Sequence, residues 1–425
     1  MANSRCRNTL GDYFTLQRGT TYKSKLLGQP GPVLLGLATI QRNGGFRMDS
    51  LQTYGGDSPA KLLVHPGELY LSLKDVTQSA DLLGAVSRLP DDSLPGRLTQ
   101  DTVKLEPKGA EVPLEYLYWL LRTPQYRTYC RAHATGTTNL GLAREDFLAF
   151  PAPEPTPTQL HIVETLGALD RKIELNRRMN ETLEAMAQAL FTSWFVDFDP
   201  VRASAEGCDP GLPFQIAALF PDTLVASVLG LVPRGWDVTT WGTIATLEYG
   251  KSLSGYGSAT GGYPVYGTNG KIGTHSKPLC PYPGVIIGRK GAYRGVHYSA
   301  SPFYAIDTAF YVAPKLPLEL RWSYYDLLRR DINRMDSGSA IPSTSRGDFY
   351  SLPVVFPPVE VQRKFTALLE PIWERQDLNR SGSAVLRNLR DTLLPKLISG
   401  NLRLGNHSLS DSPPKEVGND ICTTS

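Results

Sequence analysis

The stretch GTTNLGLAREDFLAFP (residues 136–151) recurs later in the chain as GSAIPSTSRGDFYSLP (residues 338–353). The two stretches align without a gap, and they share a glycine, an arginine, an Asp-Phe pair and a proline. An earlier pair also matches, because LGDYFTLQRGTTY (10–22) resembles WGTIATLEYGKSL (241–253). The chain is therefore a tandem repeat of one unit. Since the two copies differ most in their middles, the repeat predicts one task performed on two different targets.

A periodic segment follows each copy of the repeated stretch. Apolar residues recur there at heptad positions a and d for about 33 residues, which as a helix would extend roughly 50 Å. A narrow a/d seam of this length is typical of a coiled coil. The predicted seam residues are Gln159, Ile162, Leu166, Leu169, Ile173, Asn176, Asn180, Leu183, Ala187 and Leu190 in the first segment, and Gln362, Phe365, Leu369, Ile372, Gln376, Asn379, Ser383, Leu386, Arg390 and Leu393 in the second.

Both seams turn polar at the same point, around Asn176 and Asn379. Buried asparagine at such a position fixes register and partner choice. Because the two apolar stripes are similar, we expect the helices to bury them against each other, antiparallel, within one chain. The alternative is that each helix packs on its own module as an ordinary amphipathic helix. A mutual pair would hold the modules tens of ångströms apart, and one turn of B-DNA is about 34–36 Å. If the modules bind DNA, the target is then predicted to be bipartite, with an unread gap, and asymmetric.

The segments outside the helices carry short β-like runs such as PVLLGLATI, ELYLSL and VIIGRK, separated by turns. Each also has one predicted helix late in the segment, at 114–129 and at 318–333. The predicted fold class is α+β: two mixed α/β modules joined by two long antiparallel coiled-coil helices in a pseudo-twofold repeat. The predicted boundaries are 1–153 for the first module, 154–199 for the first helix, 200–234 for a linker, 235–356 for the second module, 357–404 for the second helix and 405–425 for a disordered tail.

Composition restricts the possible functions. The chain has 425 residues, with 44 Lys and Arg against 41 Asp and Glu, for a net charge of +3, so any nucleic-acid role must rest on local basic patches. The five cysteines never form a CxxC pair, which favours a reducing cytoplasm over a disulfide framework or a zinc site. The N-terminus lacks a signal-peptide pattern, and the longest apolar stretch (212–232) is interrupted by prolines and an aspartate. We therefore expect a soluble cytoplasmic protein that does not bind a membrane.

Two glycine-rich motifs in the second module carry the clearest binding chemistry. They are YPVYGTNGKIG (263–273) and VIIGRKGAYRG (285–295). Arginine and lysine can neutralise phosphates or donate to guanine, and asparagine can contact adenine through two hydrogen bonds. The alternative is that these are ordinary solvated loops. The predicted DNA-binding residues of this module are Lys251, Tyr266, Asn269, Lys271, Arg289, Lys290, Tyr293, Arg294 and Arg346.

The first module has a weaker equivalent of these motifs in residues 71–86, which contain Lys74 and Gln78 and are followed by Arg88. Additional positive charge lies near its start, and a serine- and threonine-rich loop precedes its helix as one does in the second module. Such loops can contact phosphates or bases, or can simply form the hinge between module and helix. The predicted DNA-binding residues of this module are Arg18, Lys23, Arg42, Lys74, Gln78, Arg88 and Asn139.

Four stretches of the chain carry a family resemblance. ALFTSWFVDFDPVRA (189–203) resembles the central region of type I restriction–modification specificity subunits, and LRDTLLPKLISGNLRL (389–404) resembles their C-terminal conserved region. The two glycine-rich motifs of the second module look like target-recognition modules of the same family. The resemblance extends to about residue 404.

The resemblance implies a non-catalytic subunit that binds double-stranded DNA, with each module recognising half of a split site. It further implies two modification subunits that bring S-adenosylmethionine and methylate adenine, and restriction subunits that use ATP and Mg²⁺, with no cofactor bound by this chain. The helices would set the spacing and bind the modification subunits. The predicted subunit-interface residues are Trp194, Phe195, Phe198, Asn176 and Asn379; the alternative for the aromatic ones is that they pack under the linker.

The sequence leaves two alternative functions. An enzyme should show its machinery, yet the chain has no phosphate-binding G-x-x-x-x-G-K-S/T loop and no Asn/Asp-Pro-Pro-Tyr/Phe run of an amino-methyltransferase. Asp91 with Glu106 and Lys108 superficially resembles a nuclease site, although the turn LPDDSLPG around Asp91 is ordinary and the second module has no counterpart. A coiled-coil scaffold that binds only proteins is the other alternative, and the basic glycine-rich loops argue against it.

Overall fold

The computed structural model describes residues 8–48, 51–77, 79–137, 139–257, 261–336, 338 and 341–399. They fall into two units. Unit 1 combines the chain up to Glu174 with the chain from Ser383 onward, and unit 2 is Leu175–Gly382. The predicted boundaries treat each long helix as a separate segment, whereas each helix is divided between the two units, and each part has residues in the core of its own unit. Among the described residues, no helix is long and apolar enough to cross a membrane.

Unit 1 is built on an antiparallel sheet covered by short helices. Its strands are β1 (Phe14–Arg18), β2 (Val33–Leu35), β3 (Leu63–Val64), β4 (Leu69–Ser72), β5 (Lys74–Asp75), β6 (Val86–Arg88), β7 (Gly96–Leu98), β8 (Thr102–Pro107), β9 (Ala134–Thr135) and β10 (Leu140–Leu142). Its short helices are α1 (Leu10–Tyr13), α2 (Leu114–Leu120), α3 (Pro124–Ala132) and α4 (Arg144–Leu148), with 3-10 turns at Ser24–Leu26, Leu37–Thr39 and Ala60–Leu62. The main sheet has the order β1-β8-β4-β6, and two smaller sheets have the orders β2-β7-β3 and β5-β10-β9.

The core of unit 1 lies between the main sheet and its helices. Leu69 and Leu71 of β4 are buried with Leu117 and Trp119 of α2. The predicted single helix over 114–129 is wrong, because the chain turns at Thr123, whose side chain accepts a hydrogen bond from the Tyr126 amide and caps α3. Proline at the first position of α3 favours this new start over continuation of α2.

Unit 2 begins within the first long helix, α5 (Pro157–Phe195). The linker helices α6 (Asp199–Ala205) and α7 (Phe214–Ala217) follow α5 and precede the strands of this unit. Its strands are β11 (Leu224–Ser227), β12 (Gly230–Pro233), β13 (Asp237–Thr240), β14 (Ala245–Tyr249), β15 (Tyr263–Gly267), β16 (Gly270–His275), β17 (Gly284–Gly288), β18 (Val296–Ser299), β19 (Tyr304–Ala305), β20 (Ala309–Pro314) and β21 (Pro353–Phe356). Its other helices are α8 (Trp241–Ile244), α9 (Leu320–Leu328), a 3-10 turn at Ile332–Arg334, α10 (Arg346–Ser351) and α11 (Val359–Ser399), which continues into unit 1. The predicted helix 318–333 is thus shorter, ending at Leu328.

The two units share one sheet topology. The main sheet of unit 2 has the order β14-β20-β17-β18 and is antiparallel throughout. In both units the strands of the main sheet therefore lie in the order first, fourth, second, third along the chain. This agreement extends the sequence repeat to the connections between strands, including those in the diverged middles.

The glycines matched in the sequence repeat lie at equivalent places. The Gly19 amide donates to the Thr102 carbonyl at 3.1 Å, and the Gly250 amide donates to the Ala309 carbonyl at 3.0 Å, so each glycine joins the first strand to the start of the fourth. A side chain on Gly250 would collide with the backbone carbonyl of Ile306, and one on Gly19 would collide with that of Thr99. Glycine is required here because two backbones approach closely.

The two long helices begin and end where the sequence provides the signals. Thr156 and Gln159 form a capping box before α5, with Thr156 N donating to Gln159 Oε1 at 2.9 Å, and Pro157 is the first helical residue. The helix ends at Phe195, after which Phe198 adopts a left-handed conformation with φ of 56°. Every residue of both predicted seams is buried or half-buried.

Hydrogen bonds at the polar point of the seam define the helix direction. In unit 2, Asn176 Nδ2 donates to the Asn379 carbonyl at 3.4 Å, and Asn180 Nδ2 donates to the Gln376 carbonyl at 3.2 Å. Asn379 Nδ2 also donates to Asn180 Oδ1 at 2.8 Å. Since later residues of α5 meet earlier residues of α11, the helices are antiparallel. The predicted pairing of the two seams with each other is confirmed.

Candidate nucleic-acid interface

Two loops of unit 2 lie side by side, and each belongs to one of the two glycine-rich motifs identified in the sequence. One is the turn between β15 and β16, with Thr268 and Asn269, and the other is the connection from β17 to β18, residues 289–295. The Gly295 amide donates to the Thr268 carbonyl at 3.1 Å and joins the loops. A side chain on Gly288 would collide with that same carbonyl, so the glycines permit the approach.

Neighbouring residues of the second loop have opposite environments. Tyr293 is 81% exposed, whereas the adjacent Arg294 is buried. Arg294 Nη2 donates to the Asn333 carbonyl at 2.8 Å, and its backbone amide donates to Asn333 Oδ1 at 2.8 Å. The prediction that Arg294 contacts DNA is therefore wrong, because its guanidinium is used to anchor the loop from within. Lys290 is half-buried and forms a β-bridge with Ser343.

Two arginines from separate motifs stack on one tyrosine. The guanidinium carbon of Arg289 lies 4.8 Å from the centre of the Tyr249 ring, and that of Arg346 lies 5.1 Å from it. Arg289 Nη1 also donates to the Asp307 carbonyl at 2.9 Å, and Arg346 Nη2 donates to the Tyr350 hydroxyl at 2.7 Å. Both arginines are half-buried, so their charges are held in place and still meet solvent.

The remaining predicted residues of unit 2 divide by exposure. Lys251, Asn269 and Lys271 are exposed and available to a ligand. Tyr266 is half-buried, and its ring packs edge-on against Phe303 at a centroid distance of 5.9 Å. Tyr266 therefore serves the module interior, and the structure does not present it as the sequence predicted.

In unit 1, two of the predicted cationic side chains form ion pairs with acidic residues. Lys74 forms an ion pair with Asp101 at 3.0 Å, and Arg88 forms one with Glu115 at 2.7 Å while its guanidinium carbon lies 4.5 Å from the Tyr118 ring centre. These acidic partners lower the net positive charge available to a phosphate, so neither cation is a simple exposed charge.

The other predicted residues of unit 1 are mostly exposed. Arg18 is exposed, and its Nε donates to the Gln100 carbonyl at 3.3 Å. Lys23, Arg42 and Asn139 are also exposed. Gln78 lies outside the described residues. Exposure alone does not bring these side chains into one site, in contrast to the loop pair of unit 2.

The aromatic residues predicted at a subunit interface are buried in the core of unit 2. Trp194 contacts Phe220 at a centroid distance of 5.0 Å, and Phe195 and Phe198 contact Trp236 at 6.0 and 5.8 Å. The prediction of a partner-facing aromatic patch is wrong, because Phe220 of the linker and Trp236 of the second module pack on these rings. Asn176 and Asn379 likewise lie in the seam between the helices, where they hold the intramolecular pair.

The side chains that hold the loops were not found from the sequence. Asn333 follows α9 and has no motif around it, yet it fixes the loop at Arg294. In unit 1, Arg127 of α3 and the buried Asp75 hold the equivalent connection, and neither residue belongs to a recognisable sequence motif.

Lys108, which the sequence also offered as part of a nuclease site, donates from Nζ to the Gly11 carbonyl. Lys315 donates in the same way to the Gly242 carbonyl at 2.6 Å. Lys108 therefore has a structural role, which Lys315 repeats in unit 2.

These features define a class: an α+β chain with two modules of one topology, joined through a paired helix from each. No family model matches the chain. It is 25% identical over 322 residues to the type I restriction enzyme MjaIX specificity subunit of Methanocaldococcus jannaschii, covering 68% of this chain and 69% of that protein. It is also 25% identical over 369 residues to the type I restriction enzyme HindI specificity subunit of Haemophilus influenzae, covering 70% of this chain and 79% of that protein.

A solved structure shares the fold. The S subunit of a type I restriction–modification system from M. genitalium aligns over 93% of this chain and 97% of its own, with a TM-score of 0.54 and 18% sequence identity. The resemblance to type I restriction–modification specificity subunits, predicted from the sequence motifs, is confirmed by these comparisons.

Proposed function

We propose that this chain is the DNA specificity subunit of a type I restriction–modification complex. One observation carries the proposal: two units have the same sheet topology but different loops at the same place. A shared scaffold with different loops suits recognition of two different short sequences, because loops vary while the elements beneath them stay fixed. The similarity to two specificity subunits supports the same conclusion.

The target is a bipartite and asymmetric DNA site. Each module recognises one half, and the antiparallel helices set the length of the unread gap. Exposed cations and amides on the loops, such as Asn269 and Lys271, supply phosphate and base contacts. Asymmetry follows because the loops of the two modules differ in length and sequence.

The chain itself performs no chemistry in this proposal. Two modification subunits bind it, bring S-adenosylmethionine and methylate adenine in the recognised site. Restriction subunits join the complex for cleavage and use ATP and Mg²⁺. The complex acts in the cytoplasm, and its specificity subunit binds no cofactor and no membrane.

Salt-dependent DNA binding tests the proposal. The full chain, assembled with modification subunits from the same cell, is titrated with labelled duplex DNA at increasing salt. We expect the logarithm of the affinity to fall linearly with the logarithm of the salt concentration, because Lys and Arg displace counterions from phosphates. A complex that assembles but binds no duplex even at low salt would contradict DNA recognition and favour a protein-binding scaffold.

A further inference from the structure

One connection occupies the same place in both modules. It connects the second strand of the main sheet, in chain order, to the third, which lies at the edge of the sheet. In unit 1 it runs from β4 to β6 (residues 73–85), and in unit 2 it runs from β17 to β18 (residues 289–295). We call these the edge loops. They differ in length and share no sequence pattern, so a common property must come from the structure.

The edge loop of unit 2 is held at three points. The Gly291 amide donates to the Pro342 carbonyl at 2.9 Å, and the Arg289 carbonyl accepts from the Thr344 amide at 2.8 Å. The third point is Arg294, whose contacts with Asn333 are described above. These bonds hold both ends and the middle of the loop to the rest of the module.

The edge loop of unit 1 is held by different groups to the same effect. Buried Asp75 accepts hydrogen bonds from the Thr77 and Leu82 amides, both at 2.7 Å. From α3, Arg127 Nη1 donates to the Leu83 carbonyl at 2.6 Å, and its Nη2 donates to the Ala80 carbonyl at 2.8 Å. A loop already ordered before binding loses less conformational entropy in a complex.

Each held loop exposes one large apolar side chain among its described residues. Tyr293 is 81% exposed in unit 2, and Val76 is 62% exposed in unit 1. Neither side chain contributes to a hydrophobic core, so each is available for contact from outside the module. Lysines flank them on the same loops, Lys290 and Lys74, and the joined turn places Asn269 beside the loop of Tyr293.

An exposed apolar side chain on a loop that also carries a lysine matches the chemistry of a duplex groove; Lys290 accompanies Tyr293, and Lys74, which is paired with Asp101, accompanies Val76. Phosphates are contacted by cations, while the methyl group of thymine or the face of a base is contacted by an apolar or aromatic side chain. We propose that Tyr293 and Val76 are base-contacting residues that determine specificity in the two halves of the target, Tyr293 through its ring and Val76 through its methyl groups. This inference rests on the proposed function.

The test maps adenine methylation in cells whose own copy of the gene is deleted and replaced by a variant, with the modification subunits intact. The variants are Tyr293→Ala, Tyr293→Phe and Val76→Ala. Matched controls are Phe214→Ala and Leu94→Ala, which remove exposed apolar groups elsewhere in unit 2 and unit 1. Because all of these side chains are exposed, we expect every variant to melt at the wild-type temperature.

We expect Tyr293→Ala to lower methylation at the wild-type motif by between about fivefold and about 150-fold, the range seen when a base-stacking aromatic is removed. New sequences tolerated by this variant should differ from the motif in one half only, and those tolerated by Val76→Ala in the other half only. Tyr293→Phe, which keeps the ring, should retain most of the activity, and the two controls should retain the motif unchanged.

Two results would overturn the inference while leaving the proposed function standing. One is a Tyr293→Ala protein that methylates the wild-type motif at the control rate. The other is a set of Tyr293 and Val76 variants that relax the same half. If instead the wild-type gene supports no methylation that the deletion removes, the proposed function itself fails and the inference fails with it.

Discussion

Removal of Asp170 should test how the long helices are fastened to the first module. Asp170 lies on α5 and accepts from Arg122 Nη1 at 2.9 Å and from Arg390 Nη1 of α11 at 2.8 Å. The Asp170 side chain is 29% exposed, and both arginines are more buried than the aspartate. The guanidinium of Arg122 also lies 4.5 Å from the Trp119 ring centre. One carboxylate thus joins both long helices to the end of α2.

The magnitude follows from what remains after an Asp170→Ala change. The buried Arg122 and the half-buried Arg390 would lose their shared carboxylate, and removing one partner of a fully buried pair costs about 3–5 kcal/mol. Arg390 would keep Asp391 at 2.9 Å, and Arg122 would keep the Tyr118 hydroxyl at 3.1 Å. Because these contacts and partial solvation compensate in part, we expect a loss of about 2–3 kcal/mol in the free energy of unfolding of unit 1.

Asp391→Ala is the matched control, since it removes an exposed carboxylate from the same Arg390. Exposed pairs contribute about 0–1 kcal/mol, so the control should be nearly silent. Urea unfolding of the full chain followed by circular dichroism measures the total effect, and amide hydrogen exchange locates it. Equal stability of the Asp170→Ala and Asp391→Ala proteins would refute the argument that a partly buried carboxylate fastens the helices.

Three further predictions follow from other parts of the chain. Inserting one heptad into α5 and a matching one into α11 keeps the seam in register and adds about 10 Å of helix. Methylation mapping should then find an unread gap that is about 3 bp longer. An unchanged gap would contradict the role of the helices as a spacer. Gly250→Ala forces a side chain against a backbone carbonyl and should cost about 1–3 kcal/mol in urea unfolding, whereas Gly257→Ala, with open space around it, should change stability by less than about 0.5 kcal/mol. Burial lowers the pKa of His297 below its ordinary value of 6.5, so the unfolded chain binds a proton that the folded chain resists, and stability should be lost as the pH falls below that value. Unfolding at about pH 7.5 and about pH 5.5 should show a larger loss for the wild type than for His297→Gln, and equal losses would argue against a buried neutral imidazole.

The helices could be predicted from the sequence because their signals are local and repeated. A seam residue such as Leu166 or Phe365 is identified by its spacing from its neighbours, and the polar point at Asn176 and Asn379 shows which positions must meet. Glycines such as Gly250 could be matched between copies because no other residue fits where two backbones touch. These features depend on near neighbours or on the repeat itself.

The environment of the loop residues could not be predicted in this way. Tyr293 and Arg294 are adjacent in sequence, but one is exposed and the other buried, and the difference depends on Asn333, which lies far along the chain. The same limit explains Trp194, since its aromatic side chain suits a partner surface and a core equally well. The linker residue Phe220 decides between them by covering it.

The most direct test of the central claim is adenine methylation mapping in a cell that carries this gene with its neighbours, compared with a deletion of this gene alone. The proposed function predicts that the deletion removes methylation at one split, asymmetric motif, that the motif returns when the gene is restored, and that all other methylation stays unchanged. Persistence of every methylated motif in the deletion strain, in cells shown to contain active modification subunits, would contradict the claim that this chain determines DNA specificity.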